Sequence, residues 1–443
     1  MRSVLSEIDS IDSLRRFGEV KSVVGPLLQV TGLQEYLSVG SLCELHPKDC
    51  SSFYAEVVGF QDEVSLLMPF ASHEGVRPKT RVDFHTNDMK LAPHPSWLGR
   101  VLNGYGKAID GKGPLLQGHE QYSTRSSPPP AHQRSLVKDR LDLGLKAMNT
   151  FLTCCKGQRM GIFAGSGVGK SVLLAQIAKF TEADVIVIGL IGERGREVRE
   201  FIEDHLGEEG MKRAVVVVAT SDEPAPMRRQ AAYVTLTVAE AFRNEGLSVL
   251  CLMDSVTRFA MALREIGLAA GEPPASKGYT PGVFAELPRL LERSGPGLQN
   301  QNQGSITGLF TVLVEGDDHN EPVSDAVRGI VDGHIVLDRQ IAERGRFPAI
   351  NILRSISRMV PKCHTEIEQK IVIKARALLS AYDDMADMIR LGAYKKGSDP
   401  VTDEAIKYHE ALHTFLSQKP DEQVTLKDSF LALAKILDGA QDS

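Results

Sequence analysis

The chain lacks the features that mark secreted and membrane-spanning proteins. Its 443 residues include one tryptophan and six cysteines, and the cysteines show neither metal-ligand spacing nor a dense disulfide framework. No apolar run approaches the roughly 20 residues that a transmembrane helix needs, and acidic residues interrupt the N-terminus where a signal peptide would be apolar. The sequence therefore predicts a soluble protein of the reduced cytoplasm.

The chain also has no excess of positive charge. Lysine and arginine number 51 against 57 aspartates and glutamates, which gives a net charge of −6. Because nucleic acids are usually bound by a basic face, this balance argues against a nucleic-acid partner. The length alone is compatible with about three domains.

What the sequence does contain is a glycine-rich turn between the apolar residues 162–164 and the apolar run 172–180. This order of strand, turn and helix is typical of a loop whose backbone N–H groups bind phosphate. Lys170 is placed to reach the β- and γ-phosphates, and the Ser171 hydroxyl to ligate Mg²⁺. Alanine stands at the first position, where the strict pattern has glycine. The residues predicted to bind a nucleoside triphosphate are Ala164, Gly165, Ser166, Gly167, Val168, Gly169, Lys170 and Ser171.

Two acidic residues follow apolar strands elsewhere in the chain. VIVIGLIG ends in Glu193, and VLCLM ends in Asp254. Ligands of parallel α/β sheets collect at the carboxyl ends of the strands. Glu193 therefore suits the group that orients the attacking water, and Asp254 suits a water-mediated Mg²⁺ ligand opposite Ser171. The alternative for both is an acid that caps the following helix.

Phosphoryl transfer also needs positive charge on the γ-phosphate beyond that of Lys170. The arginines available in the surrounding motifs are Arg194, Arg196, Arg258 and Arg358. Their spacing alone does not choose among them.

The pattern of apolar residues divides the chain into three parts. From residue 17 to about 91, short alternating runs between turn residues predict a small β-barrel. The middle alternates strands and helices, which predicts a parallel sheet, and after Pro361 the pattern is helical. The predicted strands are 159–164, 185–191, 214–219, 248–253 and 305–314, and the predicted helices are 170–180, 195–206, 226–244, 255–267 and 282–293.

The first sixteen residues form a separate feature. Val4, Ile8, Ile11 and Leu14 recur at helical spacing, and a helix this short is marginal alone in water. We therefore expect residues 1–16 to fold on a partner. The alternative is a disordered terminus with no role.

Several motifs together resemble one known family. They are GIFAGSGVGKS, GERGREVREF (192–201), MDSVTRFAMALREIGLAAGEPP (253–274), VLVEGDD (312–318) and PAINILRSIS (348–357). In this order they resemble the flagellum-specific type III export ATPases, which are related to the catalytic β subunit of F-type ATP synthases and to virulence type III secretion ATPases. The resemblance covers about residues 17–400.

The resemblance implies an α/β fold with a RecA-like P-loop ATPase core, an N-terminal β-barrel and a C-terminal helical domain. The implied segments are a partner-binding helix (1–16), the barrel (17–92), the ATPase domain (93–362) and the helical domain (363–443). It also implies a homohexameric ring that hydrolyses ATP with Mg²⁺.

Residue roles follow from the same resemblance. Glu193 matches the catalytic glutamate of β-type subunits, and Arg194 matches the arginine beside it that contacts the γ-phosphate. Phe347 falls where catalytic subunits place an aromatic ring against adenine, with a plain core aromatic as the alternative. Arg358 matches the finger that a neighbouring subunit inserts, so the implied catalytic set is Glu193, Lys170, Arg194 and Arg358.

The implied function is to power or prime export of flagellar subunits. The implied partners are a regulatory stator-like protein bound by residues 1–16, a central coiled-coil stalk, the export gate and chaperone–substrate complexes, with peripheral association at the inner face of the cytoplasmic membrane. A virulence secretion ATPase remains an alternative that no single residue excludes. A rotary synthase subunit is less consistent, because one chain carries both Glu193 and Arg358. An α-like structural subunit is disfavoured by Glu193, and an RNA helicase of the termination-factor type by the net charge.

Overall fold

The computed structural model of the chain describes residues 16–314 and 321–438. The helix expected over residues 1–16 lies outside the described residues except for its last position. Part of the VLVEGDD motif also lies outside them.

The first six strands close into the predicted barrel, with antiparallel neighbours in the order β1-β2-β5-β4-β3-β6. They are β1 (Phe17–Val24), β2 (Leu27–Thr31), β3 (Leu42–His46), β4 (Phe53–Gln61), β5 (Val64–Pro69) and β6 (Arg81–Thr86). Successive side chains of a strand point to opposite faces, and apolar residues such as Val20, Val30, Val57 and Leu67 fill the interior.

A nine-stranded sheet forms the middle of the molecule, in the order β19-β18-β12-β17-β15-β13-β14-β8, with β16 beside β17. All neighbours are parallel except β19 and β16. The remaining strands, including two small pairs outside this sheet, are β7 (Lys90–Leu91), β8 (Val101–Asn103), β9 (Tyr122–Ser123), β10 (Arg140–Leu141), β11 (Cys154–Cys155), β12 (Arg159–Ala164), β13 (Val185–Glu193), β14 (Ala214–Thr220), β15 (Ser248–Asp254), β16 (Gly295–Pro296), β17 (Ser305–Leu313), β18 (Gly333–Leu337) and β19 (Ile350–Ser357). The five strands predicted from the sequence are confirmed.

The helices lie on both faces of this sheet and at its C-terminal side. They are α1 (Lys146–Phe151), α2 (Lys170–Phe180), α3 (Gly195–Glu200), α4 (Gly207–Met211), α5 (Ala225–Asn244), α6 (Val256–Ala269), α7 (Pro281–Leu291), α8 (Pro322–Ile330), α9 (Arg339–Glu343), α10 (Glu366–Arg390), α11 (Pro400–Leu416) and α12 (Leu426–Asp438). A π-helical turn, Phe201–Leu206, continues α3, and the predicted end of that helix at residue 206 coincides with Gly207 at φ 63°. Within the described ranges, no helix combines the length and apolar character needed to cross a bilayer.

Both faces of the sheet are buried, which explains its continuous apolar strands. In β13, Ile186 and Ile188 belong to a core shared with α2 and α12, while Val185 and Val187 belong to one shared with α5 and α6. Alternate residues of one strand thus serve two cores.

The last three helices form the predicted helical domain. A capping box between Thr365 and Glu368 begins α10, as expected from the reciprocal hydrogen bonds of that motif. Gln418, just after α11, accepts from the Lys146 backbone N–H at 2.9 Å and donates to the Gly144 carbonyl at 2.8 Å. These bonds hold the C-terminal helices against the segment that leads into α1.

Candidate active site

The glycine-rich turn lies at the carboxyl end of β12, near the middle of the sheet, and leads into α2. Gly167 and Gly169 adopt left-handed φ values of 78° and 85°, which residues with a Cβ rarely adopt. Lys170 is the first residue of α2 and Ser171 the second. The turn therefore presents backbone N–H groups and a helix N-terminus, the arrangement that binds phosphate.

Three of the predicted site residues meet directly in front of this turn. Lys170 Nζ lies 2.5 Å from Asp254 Oδ1 and 3.2 Å from Glu193 Oε1. The two carboxylates end β15 and β13, which are neighbours in the sheet. All three side chains are largely buried, so their charges interact strongly.

The pKa shifts in this cluster reflect that burial. Burial alone would lower the pKa of Lys170, but the carboxylates of Asp254 and Glu193 raise it above the ordinary value. Burial raises the pKa of Asp254; the charge of Lys170 opposes this shift, and the charge of Glu193 adds to it. Two carboxylates share one ammonium group, and the cluster therefore favours an additional cation.

The residues present fit a Mg²⁺ ion held partly by its substrate. The oxygen donors are the Ser171 hydroxyl and the Asp254 carboxylate, and Mg²⁺ typically combines one or two such protein ligands with phosphate and water. No group of three or more His, Cys, Asp or Glu residues in the described part of the chain could hold a metal by itself. The ion would therefore depend on the nucleotide for much of its coordination.

A backbone irregularity determines where Glu193 points. The pairing of β13 with β14 shifts register between Ile191 and Glu193, and bulges of this kind re-aim side chains next to active sites. The intervening Gly192 has φ 71°, and a Cβ on it would lie 2.8 Å from the Cβ of Arg258. Glycine at 192 thus allows the bulge and the close approach of α6.

The structure adds a residue that the sequence analysis missed. Thr311 Oγ1, on β17, donates a hydrogen bond to Asp254 Oδ1 at 2.6 Å, the same oxygen that Lys170 contacts. Strand β17 lies between β12 and β15, which places Thr311 beside the site. The available signal was a threonine near the carboxyl end of a mostly apolar strand.

Arg194 and Arg196 have their ion-pair partners outside this cluster, whereas Arg258 packs against Gly192, next to Glu193. Arg194 is largely exposed at the start of α3, with its guanidinium 3.7 Å from Glu197. Arg196 is also exposed and pairs with Glu200 at 2.7 Å. The structure does not bring Arg194 together with Lys170.

Arg358 lies beside the amino end of β12, whereas the phosphate loop follows the carboxyl end of the same strand. Its backbone N–H donates to the Asp332 carbonyl at 2.9 Å, and Asp332 N–H donates to the Arg159 carbonyl at 2.8 Å. Because Arg159 begins β12 and the loop follows the end of that strand, the whole length of β12 separates Arg358 from the loop of its own chain.

Phe347 lies beside the phosphate loop. A Cβ built on Gly169 would be 3.3 Å from ring atom Cδ1 of Phe347, and the Phe347 side chain remains 46 % exposed. Its carbonyl accepts from the Gln418 N–H at 2.9 Å. An exposed aromatic ring next to a phosphate loop can stack against a nucleobase.

Comparison with known proteins covers nearly the whole chain. Residues 144–357 match the ATP synthase alpha/beta family, nucleotide-binding domain, and residues 365–435 match the T3SS EscN ATPase C-terminal domain. A protein named flagellum-specific ATP synthase from Caulobacter vibrioides is 56 % identical over 99 % of both chains. The type 3 secretion system ATPase of Xanthomonas euvesicatoria is 45 % identical over 96 % of this chain and 95 % of its own.

A solved structure is similar over the same length. The assembled ATPase EscN in complex with its central stalk EscO, from the enteropathogenic E. coli type III secretion system, superposes with a TM-score of 0.85 at 36 % identity. The match covers 95 % of this chain and 100 % of the EscN chain.

Proposed function

The chain belongs to the family of flagellum-specific ATP synthases and type III secretion ATPases, and from this we propose how its residues hydrolyse ATP and what the hydrolysis drives. It is an ATPase of type III protein export that converts ATP and water into ADP and phosphate. Identity of 56 % to a flagellar relative against 45 % to a secretion relative favours the flagellar apparatus. The observation that carries the enzymatic assignment is the contact of Lys170 with Glu193 and Asp254 at the phosphate loop.

The loop holds the triphosphate, and Lys170 changes partners when it binds. In the structure Lys170 compensates the two carboxylates. A γ-phosphate would draw this ammonium group toward its oxygens and leave Glu193 free to accept a hydrogen bond from water. Ser171 and, through water, Asp254 would hold Mg²⁺, which when bound would supply positive charge to the phosphate oxygens. Glu193 then orients the water in line with the phosphorus, while Thr311 fixes the position of Asp254.

The remaining positive charge comes from a neighbouring subunit. Arg358 lies beside the start of β12, out of reach of the phosphate loop of its own chain. A head-to-tail interface that closes on itself generates a ring, and we propose a homohexamer with Arg358 as its finger. Arg194 is exposed at the mouth of the site and would reach the γ-phosphate by a rotamer change. Phe347 packs against adenine.

The partners are proposed on the same basis. The relative EscN is described with a central stalk, and we propose an equivalent coiled-coil stalk here. Binding of a stator-like regulator by residues 1–16, contact with the export gate and chaperone–substrate complexes, and a position at the inner face of the cytoplasmic membrane are proposals from the family resemblance. The division of the chain into a barrel (17–92), an ATPase domain (93–362) and a helical domain (363–443) is also a proposal from the family resemblance.

The test of the site replaces Glu193 with glutamine. Glu193→Gln should retain ATP affinity, because the shape is kept, and lose phosphate release, because the charge that polarises water is gone. Glu203→Gln, on the exposed side of the neighbouring helical turn and paired with Arg199, is the matched control and should stay active. Substantial turnover by Glu193→Gln would overturn the assignment. For the export role, a deletion strain should lose swimming; lost effector secretion with normal swimming would indicate a virulence system.

A further inference from the structure

Two cysteine-bearing segments meet where the ATPase domain joins the C-terminal helices. Cys155 ends β11, which pairs with β10. Cys363 lies in the connection between β19 and α10, in the gap between the two family matches that end at residue 357 and begin at 365. A bond between these side chains would therefore join the two domains.

Contacts on both sides hold the two segments together. Thr153 Oγ1 and His364 Nε2 are 2.7 Å apart, and Arg140 Nη1 donates to Glu368 Oε1 at 2.9 Å. Ser357 Oγ also donates to the Thr153 carbonyl at 2.8 Å. Between these contacts Cys155 and Cys363 lie near enough for each thiol to shift the pKa of the other.

The two thiols differ in access to solvent. Cys155 is fully buried, whereas Cys363 is half-buried and can be reached from solution. Interaction with the Cys155 thiol lowers the pKa of Cys363, and His364 acts in the same direction, while interaction with Cys363 and burial raise the pKa of Cys155. An accessible thiolate beside a buried thiol is the usual arrangement of an attacking and a resolving cysteine.

We propose that Cys155 and Cys363 are a peroxide-sensitive dithiol whose oxidation forms a reversible disulfide between the ATPase domain and the C-terminal helices. In the first step the Cys363 thiolate attacks hydrogen peroxide, which gives a sulfenic acid and releases hydroxide. In the second, Cys155 sulfur attacks the Cys363 sulfur, forms the disulfide and releases water. The two thiols lose two electrons and the peroxide gains them. A dithiol reductant reverses the reaction.

The cross-link would also restrain the nucleotide site. The segment after α11 is hydrogen-bonded to two elements next to the phosphate loop. Gln418 N–H donates to the Phe347 carbonyl at 2.9 Å, and Gln176 Nε2 of α2 donates to the Lys419 carbonyl at 2.9 Å. Movement of the C-terminal helices is therefore transmitted to α2 and to Phe347. We expect the disulfide to slow ATP turnover several-fold and dithiothreitol to restore it.

The experiment uses the full-length protein treated with hydrogen peroxide, blocked with an alkylating agent and digested with trypsin without reduction. Mass spectrometry should find peptide 147–156 linked to peptide 363–370, and the thiols counted after denaturation should fall by two from six. Since peptide 147–156 also contains Cys154, the Cys154→Ser variant should keep the link. The Cys50→Ser variant, which removes an exposed cysteine, should keep it too.

The Cys363→Ser variant should lose the link and also lose the peroxide effect on turnover. The proposal is overturned if oxidation joins Cys154 to Cys155, stops at a sulfinic acid on Cys363, or modifies only Cys50. It is also overturned if the link forms while turnover is unchanged. Mass spectrometry detects the disulfide and not ATP hydrolysis, so its result does not depend on whether the proposed ATPase mechanism is correct. It uses the wild-type chain, so it remains valid even if a variant misfolds.

Discussion

The placement of Arg358 predicts that two inactive variants restore activity when they are mixed. Lys170→Ala removes the ammonium group at the phosphates, and Arg358→Ala removes the finger. A finger arginine is worth about 10³–10⁵ in rate, so Arg358→Ala alone should be nearly inactive. Lys170→Ala alone should also be nearly inactive, because it lacks the ammonium group at the phosphates. In a mixed ring, a site that takes its loop from an Arg358→Ala chain and its finger from a Lys170→Ala chain is intact.

The distance between Arg358 and the phosphate loop of its own chain supports a finger that acts between subunits. Arg358 is bonded through Asp332 to Arg159 at the start of β12, and the loop begins five residues later, after Ala164. At about 3.3 Å per residue the strand alone separates them by about 16 Å, well beyond the length of an arginine side chain. With equal assembly, half of the interfaces offer the intact loop and half of those the intact finger, which gives about a quarter of wild-type sites.

The assay is phosphate release from equal mixtures at several protein concentrations, with mixed rings verified by native mass spectrometry. Recovery should rise with concentration because monomers cannot complement one another. A double variant carrying Lys170→Ala and Arg358→Ala, mixed equally with wild type, should also give about a quarter of wild-type activity if the finger acts between chains, and about half if it acts within its own. No recovery for the single variants, together with half activity for the double variant, would refute the reasoning.

Three further changes test residues that the structure singles out. Thr311→Val should lower the turnover number about 10- to 100-fold, because a hydrogen bond to a charged group contributes about 1.5–3 kcal/mol, and Thr311→Ser should restore it; equal kinetics for the valine and wild-type proteins would remove Thr311 from the site. Phe347→Ala should raise the KM for ATP about 5- to 100-fold with little change in turnover number, since stacking on a base contributes about 1–3 kcal/mol, and an unchanged KM would indicate that Phe347 is only a structural aromatic. Glu56→Gln should lower the unfolding midpoint measured by calorimetry, because Glu56 is buried between Arg125 and Arg229 and loss of one partner of such a buried pair costs about 3–5 kcal/mol; a midpoint equal to that of the wild type would contradict this.

The features that the sequence predicted well are local ones. The glycine-rich loop, the strand before it and the helix after it lie within about twenty consecutive residues, and short-range backbone geometry determines their arrangement. Glu193 and Asp254 could be placed at the carboxyl ends of strands because that edge is common to all parallel strands. The alternation of strands and helices predicted a parallel sheet, and the structure confirms the predicted strands. The catalytic roles of these residues stay predictions.

Contacts that depend on the order of strands in the sheet could not be read from the chain. Strand β17 follows β15 in sequence but lies between β12 and β15, and only this order brings Thr311 to Asp254. The distance of Arg358 from its own loop likewise depends on strand pairing, because β19 runs antiparallel to β18 and ends beside the start of that strand.

The sequence by itself determined the glycine-rich turn with its lysine and the helix that follows, because neighbouring residues form them. Only the tertiary structure decided which distant residues join them. Phe347 reaches Gly169, and Cys155 reaches Cys363, across intervals of about two hundred residues. Such meetings result from the packing of whole strands and helices into shared cores, and a pattern within one segment carries no information about which other segment will cover it.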